Sequence, residues 1–190
     1  MKYTLIVPTG GIGERAGAGL PKQYIKLNGK TILHWTLSKF KDFTDISQLL
    51  IPADDNYLDE ITNSIPKEFE GRYKITEHGR TRFHSIFNSI KYIAEDTDYV
   101  MVHDAVRPFV SINLIETLME KVKKYDAVVP YLTPTDTIKK IDPELNKAYV
   151  QRTLDREFLA AVQTPQIFNK EKFVKSYNYA QINQFRGTDD

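Results

Sequence analysis

The sequence predicts an α/β fold with Rossmann-like, three-layer architecture, in which helices cover a mostly parallel sheet. Short apolar runs with strand character alternate with amphipathic helical segments along the 190 residues. Such alternation is typical of parallel sheets, because a crossover must carry the chain back between successive strands. Hydrophobic content of 41% and charged content of 27% are ordinary for a globular chain with one core. We therefore predict a single domain over residues 1–190.

The predicted strands are short apolar runs bounded by polar or turn residues. They cover Tyr3–Val7, Ser47–Ile51, Tyr73–Glu77, Tyr99–His103 and Ala127–Tyr131. In sheets of this class, ligands collect at the carboxyl ends of the strands. We therefore expect the functional residues in loops that follow strands.

The predicted helices lie between these strands, where apolar residues recur every three or four positions. The most regular pattern lies in Arg80–Glu95, the next in Ile112–Val122 and a weaker one in Ile32–Phe40. We interpret these aliphatic and aromatic side chains as core residues.

The stretch from Pro134 to Thr153 is predicted to leave the core as a β-arm. Two strand-like runs, Thr135–Ile141 and Ala148–Thr153, flank the turn-rich segment Asp142–Asn146. An isolated hairpin is barely stable in water, so this arm needs a surface to pack against.

Composition excludes several classes of function. The net charge of +1 provides no field that would recruit nucleic acid or an anionic membrane. The absence of cysteine excludes disulfides, thiolate metal sites and cysteine nucleophiles. No apolar run approaches the ~18 residues of a membrane-spanning helix, and the amino terminus lacks a signal-peptide pattern. We predict a cytoplasmic protein without nucleic-acid or membrane partners.

The loop after the first strand, between Val7 and Tyr24, carries the most specific functional signal. It contains five glycines together with the cations Arg15 and Lys22. Glycine lets backbone N–H groups approach a ligand closely, and the two cations would hold a phosphate chain. The composition of this loop predicts a nucleotide site, with a flexible glycine loop that binds nothing as the alternative.

Two common nucleotide motifs fit this region poorly. Residues 11–16 match the dinucleotide-binding pattern G-x-G-x-x-A, but Pro21 opposes the helix that should begin there and the acidic residue expected about 20 residues on is missing. Gly29–Thr31 resembles the end of a P-loop, yet Tyr24 occupies a required glycine position. Neither motif accounts for the loop.

Two other loops after predicted strands carry clustered charge. One runs from His78 to Ser85 and opens a helix, and the other runs from His103 to Phe109. In the second loop Asp104 ends a strand and Arg107 follows three residues later. This pair either holds a polar ligand or forms an internal salt bridge. No spacing makes the four histidines a metal-ligand set, and no protein metal site is predicted.

Five short motifs occur in one order along nearly the whole chain. They are Pro21–Tyr24, Val102–Pro108, Arg152–Arg156, Gln163–Phe168 and Thr188–Asp190. Together they resemble the 2-C-methyl-D-erythritol 4-phosphate cytidylyltransferase family. The resemblance implies an α/β nucleotidyltransferase fold that uses CTP to activate a polyol phosphate in non-mevalonate isoprenoid synthesis.

The resemblance also implies roles for individual residues. The catalytic cations correspond to Arg15 and Lys22. The nucleotide-binding positions correspond to Thr9, Gly10, Gly11, Gly13, Gly79, Arg80, Ser85 and Ala105. The positions that bind the polyol phosphate correspond to Asp104, Arg107, Thr137, Arg156, Thr164 and Thr188.

Cofactor and assembly follow from the same resemblance. Mg²⁺ would be carried mainly by the CTP phosphates, because it dehydrates reluctantly and prefers phosphate oxygens. The β-arm at 134–153 would join two subunits into a homodimer and present Thr137 and Arg156 to the neighbouring site. Family members continue beyond the Thr188 motif with a lysine that contacts substrate phosphate. We therefore expect the family's C-terminal segment to be missing after residue 190.

Three alternative functions remain open from the sequence. The nearest is a cytidylyltransferase acting on ribitol 5-phosphate, since its relatives share the glycine loop and the Asp-x-x-Arg-Pro motif. The second is a sugar-1-phosphate nucleotidyltransferase that uses another base. The third is a truncated, inactive nucleotide-binding module.

Overall fold

The computed structural model describes residues 1–10, 20–142 and 149–185. Its strands are β1 (Tyr3–Ile6), β2 (Lys26–Leu27), β3 (Lys30–Thr31), β4 (Ile46–Ala53), β5 (Tyr73–Glu77), β6 (Tyr99–Val102), β7 (Ala127–Val128), β8 (Tyr131–Leu132), β9 (Lys139–Asp142), β10 (Tyr149–Thr153), β11 (Ala161–Val162) and β12 (Gln166–Asn169). Its α-helices are α1 (Ile32–Leu37), α2 (Leu58–Ser64), α3 (Arg82–Ile90), α4 (Ile112–Lys121) and α5 (Lys170–Ile182). Within these ranges, none of the helices is long and apolar enough to cross a bilayer.

The central sheet has six strands in the order β5-β4-β1-β6-β12-β7. The first four are parallel to one another, whereas β12 runs antiparallel to both of its neighbours. The predicted mostly parallel sheet is therefore confirmed. Because β1 and β6 are central, their carboxyl ends lie in the middle of one sheet edge.

The core forms two clusters, one on each face of the sheet. Alternate strand residues point to opposite faces, so Leu5 belongs to one cluster and Ile6 to the other. Helices α1, α2 and α4 cover the first face through residues such as Leu37, whereas α3 and α5 cover the second through residues such as Ile86 and Phe173. This arrangement confirms the expected three layers.

The observed elements differ from the sequence prediction in two places. The run Ala127–Tyr131, predicted as one strand, divides into β7 and β8, which belong to different sheets. The break falls at Pro130, which has no N–H to donate to a ladder. Strand β12 and helix α5 were not predicted, because neither shows a clear apolar period: only Phe173 and Tyr177 are buried in α5.

Helix α3 is shorter than the predicted segment Arg80–Glu95. It begins after Thr81, whose hydroxyl accepts a hydrogen bond from the backbone N–H of His84, and its last residue is Ile90. This N-cap keeps residues 78–81 in a loop and places Arg82 at the first position of the helix.

The segment predicted as a β-arm contains an antiparallel pair, β9 and β10, in which Val150 lies opposite Ile141. Every described residue of β10 is exposed. The chain leaves the domain through β8 and returns through β11, and these two strands pair with Ala161 opposite Leu132. Both ends of the excursion are thus held together beside the main sheet.

Candidate functional site

Loops that follow β1, β5 and β6 meet at the carboxyl edge of the sheet. Gly10, after β1, lies against His78, after β5: a Cβ placed on Gly10 would lie 3.1 Å from the His78 Cβ. Arg82, which follows the β5 loop, reaches Asp104 after β6. The described start of the first predicted loop therefore adjoins the loop after β5, and the helix that follows that loop reaches the loop after β6.

The segment after β1 is fixed by hydrogen bonds to its backbone. Thr9 is buried, and its N–H and hydroxyl both donate to the Pro52 carbonyl, at 2.9 and 3.1 Å. The side-chain amide of Gln23 donates to the Thr9 carbonyl. Gln23 belongs to a short 3-10 turn, Lys22–Tyr24, in which Lys22 is exposed. This bond holds the lysine near the end of β1.

The loop after β5 packs its main chain directly on helix α3. A Cβ on Gly79 would lie 2.3 Å from the Cβ of His84 and 2.8 Å from the nitrogen of Ser85, so only glycine fits. The Gly79 N–H donates to the Ser85 hydroxyl at 2.9 Å, and that hydroxyl donates to the Thr81 carbonyl at 3.0 Å. Ser85 is buried, whereas Arg80 is exposed.

Asp104 is held between two arginines. Its Oδ2 accepts from Arg107 Nε at 2.8 Å, and its Oδ1 accepts from Arg82 Nη2 at 3.2 Å. Burial alone would raise the pKa of Asp104, but the Arg107 hydrogen bond and the charge of Arg82 outweigh it and lower that pKa. The carboxylate is therefore charged at neutral pH, and the three groups together carry a net charge of +1.

Thr164 reaches Asp104 because of the register between β6 and β12. Gln166 lies opposite Val102, so continuing the antiparallel pairing by two residues brings Thr164 beside Asp104. The Asp104 N–H donates to the Thr164 hydroxyl at 3.2 Å. The neighbouring Ala105 is buried, and its carbonyl accepts from the Thr36 hydroxyl at 2.8 Å. These bonds fix the main chain after β6.

His103 is fully buried at the end of β6. Its ring lies edge-on to Phe40 at 5.0 Å between centroids, and its nitrogens lie 3.0 Å from Thr164 Oγ1 and 3.2 Å from the Arg107 carbonyl. Burial lowers the pKa of His103 to about 4, so the imidazole is neutral at physiological pH.

A polar cleft of about 460 Å³ opens beside this cluster. Arg82, Asp104 and Arg107 line one part, while Gln163 and Thr164 line another. Arg107 also donates from Nη1 to Gln163 Oε1. Within the described ranges, Arg107 Nη2 has no hydrogen-bond partner. A guanidinium held in this way offers a planar donor group to a phosphate or carboxylate.

The remaining predicted site residues divide into two groups. Thr137 is exposed on the arm, and Arg156 is exposed just after it, where its Nη1 donates to the Thr135 carbonyl at 3.2 Å. The other group lies outside the described residues: Gly11, Gly13, Arg15 and Thr188.

Arg82 and Gln163 were not among the predicted site residues. The sequence named Arg80 in the β5 loop, but Arg82 contacts Asp104. The available signal was position, since Arg82 begins the helix that follows β5, at the sheet edge where ligands collect. Gln163 stood inside a recognised motif, although only its neighbour Thr164 was assigned to the site.

A comparison with protein families matches residues 3–190 to the family described as 2-C-methyl-D-erythritol 4-phosphate cytidylyltransferase. The protein of that name from Clostridium perfringens strain SM101 is 34% identical over 190 residues, which cover 100% of this chain and 83% of the relative. The one from Halalkalibacterium halodurans is 36% identical over 196 residues, covering 100% and 82%.

Solved structures give a matching result. A 4-diphosphocytidyl-2C-methyl-D-erythritol synthase from Anaerococcus prevotii superimposes with a TM-score of 0.84 at 26% identity, covering 99% of this chain and 80% of that one. The Francisella tularensis 2-C-methyl-D-erythritol 4-phosphate cytidylyltransferase gives a TM-score of 0.78 at 32% identity, covering 97% and 80%.

Proposed function

The chain belongs to the 2-C-methyl-D-erythritol 4-phosphate cytidylyltransferase family, and we propose on this basis that it is a nucleotidyltransferase that joins CTP to 2-C-methyl-D-erythritol 4-phosphate. The products are 4-diphosphocytidyl-2-C-methyl-D-erythritol and pyrophosphate, in the non-mevalonate route to isoprenoid precursors. The observation that carries the proposal is the cationic cleft after β6, where Asp104 is held between Arg82 and Arg107.

The reaction is a direct phosphoryl-centre substitution. A phosphate oxygen of the polyol phosphate forms a bond to the α-phosphorus of CTP, and the bond from that phosphorus to the β-phosphate oxygen breaks. Pyrophosphate leaves with the bonding electrons. Because both reactants are anions, catalysis consists mainly of positioning and charge neutralisation. No covalent enzyme intermediate is required.

We assign the two reactants to neighbouring parts of the sheet edge. The backbone around Thr9, Gly10 and Gly79 would surround the nucleotide base and ribose, with the catalytic cations Lys22 and Arg15 at the triphosphate. A glycine without room for a side chain supports this assignment, since it brings main-chain groups to the surface.

The polyol phosphate would occupy the cleft after β6. Arg107 offers donors to its phosphate, and Asp104 offers its oxygens to hydroxyl groups at the cleft surface. The net charge of +1 on the Arg82–Asp104–Arg107 cluster favours a phosphate dianion over a neutral sugar. Thr164 lies at the same place, beside the Asp104 backbone.

Mg²⁺ would enter with CTP. The carboxylate in the cleft, Asp104, has both oxygens bonded to arginine and is a poor ligand for a cation. Within the described ranges, no group of three or more His, Asp or Glu side chains could hold a metal ion. The triphosphate oxygens are the donors that Mg²⁺ prefers, and there the ion would neutralise developing charge.

The β-arm would join two subunits. Ile141, Tyr149 and Val150 on paired strands are 47–59% exposed, and a hairpin of this kind gains stability by packing against another surface. A second copy is the proposed partner, with Thr137 and Arg156 reaching its site. Sedimentation at several protein concentrations tests the dimer, and Val150→Lys should shift it towards monomer.

We propose the cytoplasm as the location of the protein.

Pyrophosphate release tests the reaction. The protein is assayed with Mg²⁺, CTP and methylerythritol phosphate, and then with ribitol 5-phosphate, or with ATP, GTP or UTP in place of CTP. Turnover confined to CTP with methylerythritol phosphate is expected. Preference for ribitol 5-phosphate would overturn the substrate, and preference for another nucleotide would overturn the base. Saturable CTP binding without turnover with either polyol phosphate would favour the binding-module alternative.

A further inference from the structure

We propose that His103 is a positioning residue, which orients the Thr164 hydroxyl and thereby fixes the Asp104–Arg107 loop for the polyol phosphate. The inference rests on the proposed function, because it names a residue that would support that substrate without touching it. His103 has no exposed surface, and its two ring nitrogens contact both segments that form the cleft.

The contacts of His103 define which ring nitrogen carries the proton. Nε2 lies 3.2 Å from the Arg107 carbonyl oxygen, which only accepts hydrogen bonds. Nε2 must therefore be the protonated nitrogen. A neutral imidazole carries one such proton, so Nδ1 is an acceptor.

The Thr164 hydroxyl is oriented as a consequence. Its oxygen lies 3.0 Å from His103 Nδ1, so the hydroxyl must donate its proton to that nitrogen. A lone pair of the same oxygen is then directed to the Asp104 N–H, which donates to it at 3.2 Å. Without His103 the hydroxyl would be free to rotate.

These bonds link the Asp104–Arg107 loop to Thr164, which lies about 60 residues further along the chain. They run from Asp104 through Thr164 and His103 to the carbonyl of Arg107, and Thr164 enters from the segment that precedes β12. The link fixes the backbone that supports the Asp104 carboxylate and the Arg107 guanidinium. Since a displacement of about 1 Å is enough to weaken a positioned contact, we expect loss of the link to affect substrate binding before overall stability.

Two conservative variants separate the roles of the ring nitrogens. In His103→Asn the amide oxygen replaces Nδ1 and still accepts the Thr164 hydroxyl, whereas in His103→Gln the amide nitrogen replaces Nε2 and contacts only Arg107. We expect His103→Asn to keep KM for methylerythritol phosphate within about twofold of wild type and His103→Gln to raise it about tenfold. KM for CTP should change less in both. Equal effects of the two variants would overturn the proposal.

A double-mutant cycle tests whether His103 acts through Thr164. His103→Phe and Thr164→Val should each lower kcat/KM for methylerythritol phosphate about tenfold, and the double variant should show about the same tenfold loss. Thr164→Ser, which keeps the hydroxyl, should restore activity. If the double variant instead lost kcat/KM by the product of the two single losses, about a hundredfold, the proposal would be contradicted.

A matched control addresses stability. Thr97→Val removes another buried hydroxyl, which is bonded to Thr4 at 2.7 Å at the opposite end of β6. It should lower the melting temperature without raising KM. If His103→Gln and His103→Phe behaved like Thr97→Val, with a lower melting temperature and unchanged KM, His103 would be only structural.

A nitrogen–proton correlation spectrum of the histidine side chains tests the hydrogen-bond pattern without any assay. We expect the wild-type His103 ring to be protonated at Nε2 and the Nδ1 resonance to shift in Thr164→Val. Protonation at Nδ1 would overturn the inference. Wild-type protein without turnover would instead contradict the proposed function, and the spectrum would still decide how His103 bonds.

Discussion

Two neighbouring loops at the sheet edge are built in opposite ways. After β5, Gly79 packs its main chain so closely on α3 that a side chain has no space, and the backbone itself forms the surface. After β6, Asp104 and Arg107 project charged side chains into a cleft. The first loop should therefore be sensitive to added volume, whereas the second should be sensitive to changes of charge and hydrogen bonding.

The largest expected effect comes from adding a methyl group to the first loop. In Gly79→Ala the new Cβ would lie 2.3 Å from His84 Cβ and 2.6 Å from its carbonyl carbon, so backbone must move. We expect a loss of more than about 3 kcal/mol in the free energy of unfolding, measured by denaturant titration, and weaker CTP binding, because contacts this short require a backbone shift. Gly10→Ala is the matched control, since its Cβ would be 3.1 Å from an exposed side chain. Equal losses from both would show that volume is not what distinguishes the Gly79 position.

The second effect is a pH dependence that the buried His103 gives to the β6 loop. The pKa of His103 falls from 6.5 in the unfolded chain to about 4 in the fold, so the unfolded state binds more protons between these values. Stability from His103 is full above pH 6.5 and declines as the pH falls towards 4, by about 3 kcal/mol in total. The neighbouring charges that face the ring are Asp104, Arg107 and Arg82.

Unfolding measured across this pH range should lose the His103 share of the slope in His103→Asn, while His34, whose pKa burial also lowers, keeps its own share. A variant with an unchanged slope would mean that another group titrates there. The lowered pKa of Asp104 adds a separate loss of stability at lower pH, below 3.8, because its carboxylate then gains a proton that the arginines disfavour.

The third effect is on the proposed reaction. Arg107→Ala removes a guanidinium that bonds Asp104 at 2.8 Å and also bonds Gln163. We expect kcat/KM for methylerythritol phosphate to fall about a hundredfold, by analogy with the loss of an oxyanion donor. Arg107→Lys should recover little of it, since one ammonium nitrogen replaces the two guanidinium nitrogens that bond Asp104 and Gln163 separately. Full recovery would indicate that charge alone matters in this loop.

The smallest effects come from two arginines close together in sequence. Arg82→Ala should lower kcat/KM for the polyol phosphate about tenfold, because Asp104 loses a partner at 3.2 Å. Arg80→Ala should change it less than about twofold, since that side chain is exposed and a lone surface charge contributes little. The reverse order would mean that the loop after β5 contributes charge to the site after all.

The sequence was sufficient to predict the fold class and the positions of most central strands. Runs such as Tyr73–Glu77 are bounded by turn residues and match the structure. Strand β12 and helix α5 were not predicted from the sequence. The strands that pair with β12 lie far away in the sequence, and buried apolar residues in α5 are sparse. Burial there is decided by tertiary contacts rather than by local pattern.

The residues of the candidate site also divide into those that a local sequence pattern predicts and those that only tertiary contacts place there. Asp104 and Arg107 were predicted from one local motif as an internal salt bridge or a polar-ligand site. The salt bridge is confirmed, whereas the ligand site stays a prediction for a pair that also lines a cleft. Arg82 was missed because its contact with Asp104 spans 22 residues and depends on how two loops approach each other. Thr164 was assigned only through resemblance, and the register of β12 is the physical reason for its position.

The pairing of β8 with β11 makes the arm a replaceable module. Leu132 and Ala161 are opposite each other, so the chain enters and leaves the excursion at almost one point. A tight turn of two to five residues is enough to close such a pair. A change in the length or surface of this excursion therefore leaves the strand pairing of the six-stranded sheet untouched. The same change would remove Thr137 and Arg156 from the neighbouring site to which we assign them, so an altered arm would leave a folded protein with an incomplete pair of sites.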